Sequence, residues 1–155
     1  MKLAADYVEH LHGAVFIYVD SYDDDLQLNT QMAQGVLVSP DREDLSLYIL
    51  ESQAHVLLAN LLGTAKLTLT VTDPLTLSTL QLNGVYLSHG PSDSKDRALQ
   101  NIYAYKLNAA IQTVWPSSSD RRDSRELEPM LSIVVSIDDI IKQTPELRED
   151  IQMSI

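Results

Sequence analysis

The chain contains no cysteine, which removes a disulfide scaffold, a thiolate metal site and cysteine nucleophilic catalysis together, and makes a reducing cytosol its natural compartment. Cytoplasmic residence is therefore the expectation. The 5 glycines and 6 prolines nowhere cluster into a Gly-rich phosphate loop, and no nucleophile elbow is present. Basic side chains are scarce, 11 Lys and Arg against 22 Asp and Glu, for a formal charge of −11. Such a chain repels phosphate backbones at long range. Its one basic cluster, Arg121, Arg122 and Arg125, is interleaved with Asp120, Asp123, Glu126 and Glu128, so nucleic acid is not an expected partner. No apolar run approaches the roughly 20 residues of a membrane span. Asp6 and Glu9 stand where a signal peptide needs an apolar core, so no membrane partner is expected either. His10, His12, His55 and His89 lack the spacing of a zinc set. Asp23, Asp24 and Asp25 lack the glycine and distal glutamate of a calcium loop and read as a solvated turn.

What remains is a patterned chain of 155 residues, a length that suits one domain with a core of its own. The clearest pattern runs from Leu45 to Gly84. Leu45 to Leu50 is apolar and β-prone, Ser52 is placed to cap a helix over Ala54 to Leu62, and Gly63 stands where a helix end favours positive φ. Ala65 to Thr72 then alternates strictly, with Ala65, Leu67, Leu69 and Val71 on one face and Lys66, Thr68, Thr70 and Thr72 on the other. That is a half-buried strand. Asp73-Pro74 breaks it, and Thr79 to Val85 resumes a strand in which Gln81 and Asn83 face away from Leu80 and Leu82.

Outside this block, Leu3, Tyr7 and Leu11 stack at i, i+4 and i+8 and predict a helix over residues 1–12. Ala14 to Val19 predicts a first strand. A second starts at Leu26 and continues past Gly35 to Val38, with Gly35 marking a bulge or a close backbone approach. Ser92 or Ser94 is placed to cap a helix from Lys95 to Thr113 whose apolar stripe is Ala98, Ile102, Tyr105 and Ala109. Residues 116–129 read as a polar loop, Leu131 to Ile137 as a closing strand, and residues 143–155 as a polar tail. Six strands arriving in runs, with peripheral helices, predict a mainly β (α+β) antiparallel barrel.

The order strand, helix, "GTAKLTLTVTDP", "STLQLNGV" resembles the FMN-binding split-barrel family, whose best-known member is pyridoxamine 5'-phosphate oxidase. Ala54, His55, Asn60 and Leu61 stand at the spacing of the family's Ala-His and Asn-Leu helix, and "SIVVSIDDIIKQTPE" is similar to its final strand. The resemblance implies a six-stranded antiparallel split β-barrel and a homodimer with FMN in clefts at the interface. It also implies a flavin-dependent oxidoreductase acting on a small-molecule substrate.

Carried over residue by residue, the resemblance places Thr30 and Gln31 on the strand that approaches the flavin ring, Gln81 near the ring, and Lys66 on the adjoining polar face. Ser52, Gln53 and His55 stand at the helix start that would face the phosphate, and Trp115 is a candidate ring neighbour. Pyridoxamine phosphate oxidases carry an Arg-Lys pair where this chain has Ser52-Gln53. Lys66 is then left as the main positive charge for the phosphate. The family's aromatic and arginine-bearing closing segment also has no counterpart here, so authentic pyridoxamine phosphate oxidation is not expected.

Plainer roles stand beside each of these. His55 serves equally as a packing histidine, Lys66 as a strand lysine that protects an edge, Gln81 and Asn83 as cross-strand partners, and Trp115 as core or interface. The alternative function is accordingly a split-barrel dimer that has lost flavin and acts as a binding or regulatory protein.

Overall fold

In the computed structural model of this chain, residues 1–114 and 129–143 are described. Trp115, the body of the expected polar loop and the tail beyond Gln143 lie outside the described residues. Helices α1 (Ala5–Leu11), α2 (His55–Thr64) and α3 (Ser94–Val114) accompany seven strands: β1 (Phe16–Tyr22), β2 (Leu28–Met32), β3 (Val36–Val38), β4 (Asp44–Leu50), β5 (Lys66–Thr72), β6 (Thr79–Pro91) and β7 (Met130–Gln143). No helix among the described residues is long and apolar enough to cross a membrane.

The strands form one sheet in the order β2-β1-β5-β6-β7-β4-β3, and every neighbouring pair is antiparallel. Alternation does here what it predicts. Leu67, Leu69 and Val71 of β5 are buried while Lys66 is exposed, and Ile133, Val135 and Ile137 of β7 join the same core. Each such side chain contributes about 1.5–3 kcal/mol by leaving water.

Seven strands stand where the pattern predicted six because the run from Leu26 to Val38 splits in two. Met32 still pairs with Tyr18 of β1, yet Val36 pairs with Leu47 of β4 at the other end of the sheet. Between them Ala33 N–H donates to Ile17 O at 2.8 Å and Gln34 N–H donates to Tyr48 O at 2.6 Å. Adjacent residues thus bond to opposite ends of the sheet and close the barrel. Gly35, at φ +147°, takes the bend; a Cβ there would press Tyr48 Cδ2 at 3.4 Å. The expected close approach is real, but it ends one strand and starts another.

Several termini also differ from the expectation. Ser52 lies in a 3-10 turn, Glu51–Gln53, and does not cap α2, whose N-cap is Ala54 with no side-chain bond. The helix ends not at Gly63 but at Ala65, which takes the left-handed conformation at φ 62°. Asp93, rather than Ser92, caps α3: Asp96 N–H donates to its Oδ1 at 2.8 Å while Asp93 N–H returns a bond to Asp96 Oδ2 at 3.1 Å. Ser92 Oγ instead donates to Met130 O at 2.9 Å.

The face of α3 is the largest departure. Ala98, Ile102, Tyr105 and Ala109 all point outward, and the helix buries Gln100, Leu107, Ala110 and Ile111 instead.

Candidate functional site

Strand alternation decides which candidate residues can meet. On β1 the side chains of Ile17, Val19 and Ser21 turn inward, so Tyr18, Asp20 and Tyr22 lie on the outer face. Register then carries one row across the sheet: Thr30 faces Asp20, Asp20 faces Thr68, Thr68 faces Asn83, and Asn83 faces Asp139. The row is hydrogen-bonded within itself. Thr30 Oγ1 donates to Asp20 Oδ1 at 2.6 Å, and Thr68 Oγ1 donates to Asn83 Oδ1 at 2.9 Å. A second row holds Met32, Tyr18, Thr70, Gln81 and Ile141. In it Gln81 Oε1 accepts from Gln143 Nε2 at 3.5 Å.

Beside the first row opens a cleft of about 370 Å³ lined by Asp20, Tyr22, Lys66, Leu67, Thr68, Asn83, Gly84 and Asp138. That is the low end of the range for small-molecule sites, ~300–1,000 Å³. Two irregularities shape it. The β6–β7 register shifts between Asn83 and Gly84, so Asn83 faces Asp139, Gly84 faces Ile137, and Asp138 is left as the extra residue of a bulge. Gly84 itself allows the strands to close up, since a Cβ would stand 2.6 Å from Val135 Cγ1 and 2.9 Å from Ser136 O. The lining is electrostatically mixed, with the carboxylates of Asp20 and Asp138 against the single ammonium of Lys66.

The sequence candidates therefore fall into two groups. Thr30, Lys66 and Gln81 belong to the outer face of the sheet. Gln31 points the other way from Thr30, as neighbours on a strand must, and its Nε2 donates to Gln53 Oε1 at 3.3 Å. It thus belongs with Ser52 and Gln53, which are exposed, at the start of α2, where His55 is exposed too. A ten-residue α-helix is about 15 Å long. Lys66 follows the far end of α2, so it does not join Ser52 and Gln53 in one anion cradle.

Sequence reasoning passed over Asp20, Tyr22, Thr68 and Asp138 as site residues. Asp20 and Tyr22 carry a usable signal, the outward phase of an otherwise apolar run. Asp138 carries only the paired aspartates that interrupt the alternation of β7.

Asn60 has a structural role. Its Nδ2 donates to Ser21 Oγ at 3.0 Å inside the barrel and fastens α2 to β1. The triple-aspartate segment is a turn in which Asp23 Oδ1 accepts from Asp25 N–H at 2.8 Å and Gln27 N–H at 2.9 Å. No group of three His, Asp or Glu side chains among the described residues is arranged to hold a metal ion.

No family model matches the sequence, and the search of curated proteins gives no match. Solved structures do match in fold. A putative pyridoxamine 5'-phosphate oxidase from Lactobacillus delbrueckii superposes with a TM-score of 0.56 at 14% identity, over 90% of this chain and 93% of its own. An FMN-binding protein from Syntrophomonas wolfei gives 0.53 at 13% identity over 88% and 87%. HutZ, the heme storage protein of Vibrio cholerae, gives 0.51 at 14% over 93% and 97%. The chain has the flavin-binding-like split-barrel fold that these structures share.

Proposed function

We propose that this chain is an FMN-binding protein of the pyridoxamine phosphate oxidase-like kind, a single-domain cytoplasmic homodimer, and a flavin-dependent oxidoreductase other than authentic pyridoxamine phosphate oxidase. The observation that carries the reading is the outer-face cleft on a barrel of this fold. Its wall bears the hydroxyl of Thr68 and the amide of Asn83, and Gln81 stands outside that wall on the same sheet face, one row on. Such groups suit the polar edge of a flat heteroaromatic ring, while exposed Tyr18 and Tyr22 offer aromatic surface beside it.

The phosphate is a separate matter. A phosphate carries close to two negative charges, and the cleft sets Asp20 and Asp138 against Lys66. The α2 start has no Lys or Arg, only Ser52, Gln53, His55 and backbone N–H groups without a side-chain cap, with the Glu51 carboxylate in the preceding turn. These residues fit a flavin ring and give its phosphate no net positive cradle, so the ring carries the affinity for FMN. When bound, the flavin supplies the redox chemistry; the chain's own groups bind and orient the ring.

Dimerisation has its own support. Tyr18, Tyr22, Leu28 and Ile141 leave 40–56% of their surface exposed on the outer sheet face, and the outward side of α3 adds Tyr105, 77% exposed.

Fluorescence titration with FMN and with riboflavin tests the cofactor. Both are expected to bind with affinities within about threefold of each other. Gln81→Ala weakens both by roughly fivefold, the equivalent of one neutral hydrogen bond, while Lys66→Ala changes neither by more than about twofold. Tight FMN binding that riboflavin does not match, lost in Lys66→Ala, would restore Lys66 as the phosphate anchor. No quenching by either ligand sinks the flavin reading in favour of the second one, a split barrel without flavin, which the two aspartates beside Lys66 support.

A further inference from the structure

A second cavity, of about 200 Å³, lies between α1, β3 and α3, on different elements from the outer-face cleft. Its walls are apolar, with Leu11, Val36, Leu99 and Ile102 among them, and His12 and Lys106 stand in its lining. Ile102 is 52% exposed there, so an apolar occupant would cover surface that the fold leaves in water.

The polar end is chemically defined. Val38 N–H donates to His12 Nε2 at 3.0 Å, so that nitrogen is the acceptor and the ring proton sits on Nδ1. Burial and then the neighbouring Lys106 ammonium hold His12 below its ordinary value, which keeps the ring neutral. The cavity therefore combines apolar walls with one cation and one neutral N–H donor.

We propose that this cavity binds a small monocarboxylate with an apolar body, its carboxylate facing Lys106 and the Nδ1–H of His12. The volume corresponds to about six or seven water-sized groups, each a methyl, a methylene or a carboxylate, at roughly 30 Å³ each, the size of a short-chain carboxylic acid. An amine would meet Lys106 as a like charge. A dianion would find one cation in a chain whose formal charge is −11.

Hexanoate is a suitable probe, titrated into the full chain and followed by amide chemical shifts, with hexylamine and 1-hexanol as controls. Saturable shifts are expected at Leu11, Val36, Leu99 and Ile102, with millimolar affinity for hexanoate and at least tenfold weaker binding of hexylamine. Lys106→Met weakens hexanoate by about three- to fivefold, as befits an exposed charge pair, and Lys106→Arg restores it. Shifts that never saturate, shifts confined to the Asp20–Lys66 cleft, equal affinity for hexylamine, or indifference to Lys106→Met would each overturn the proposal.

Discussion

On β5 the inward side chains Leu67, Leu69 and Val71 are buried among apolar neighbours, and outward Thr68 and Thr72 bond across to Asn83 and Thr79. On α3 the inward side includes Gln100, 2% exposed with neither amide atom hydrogen-bonded, while Ile102 and Tyr105 stand 52% and 77% exposed. Both elements carry alternatives in their side chains, but a strand has only two faces. Once β5 pairs on both edges, one face must be core. A helix can roll about its axis, and where α3 docks is settled by contacts that its own periodicity does not contain. Those contacts include Asp96 accepting from Tyr48 Oη at 2.8 Å and Tyr103 Oη donating to Val15 O at 2.6 Å. Burial and Asp96 both push the Tyr48 phenol up, so it stays a donor.

The contrast breaks most visibly in the barrel. Leu69→Ala should cost about 2–5 kcal/mol in a urea unfolding experiment; a loss well under this would mean that the β5 face is no better packed than α3. Gln100→Met keeps the volume and removes the orphaned amide, so stability should rise by about 1–2 kcal/mol. A fall in the midpoint would instead reveal a partner for Gln100. Tyr105→Ser should change the stability of the monomer itself by less than about 0.5 kcal/mol, yet light scattering should report the dimer turning into monomer and the unfolding midpoint should lose its dependence on protein concentration. Persistence of the dimer would shift its interface to Tyr18, Tyr22, Leu28 and Ile141.

The smallest effect is in pH. The His12 value is lowered in the fold from 6.5, so the unfolded chain binds the proton more readily. The contribution of His12 is complete above pH 6.5 and is lost as pH falls from there through the lowered value. Denaturation midpoints just below pH 6.5 should accordingly decline less steeply in His12→Gln than in wild type. Asp41 is held low chiefly by Ser39 and Asp93 chiefly by Asp96 N–H, so their own losses begin only below 3.8. An unchanged slope near pH 6 in His12→Gln would mean that His12 does not carry the pH dependence.

Legibility followed the same division. Lys66, Thr68, Gln81 and Asn83 were readable as one outward face because alternation fixes phase within a strand. Which of them share a ligand was not readable, since that depends on register between strands. Thr30 and Gln31 could not both serve one side-chain site. The cleft owes its shape to the Asp138 bulge and to Gly84, neither of which has a local pattern of its own. Trp115 lies outside the described residues.

By itself the sequence determined the six extended runs, the apolar faces of β5 and β7 and the absence of thiol chemistry, because period-2 alternation and composition are local properties. Only the tertiary structure decided that Leu26–Val38 becomes two strands closing a barrel through Ala33 and Gln34, that α3 turns Ile102 and Tyr105 outward, and that Lys66 stands beside Asp20 and Asp138 rather than beside Ser52 and Gln53. The physical reason is that strand pairing and helix docking are set by long-range contacts, whose partners lie far apart along the chain and whose energies no short segment encodes.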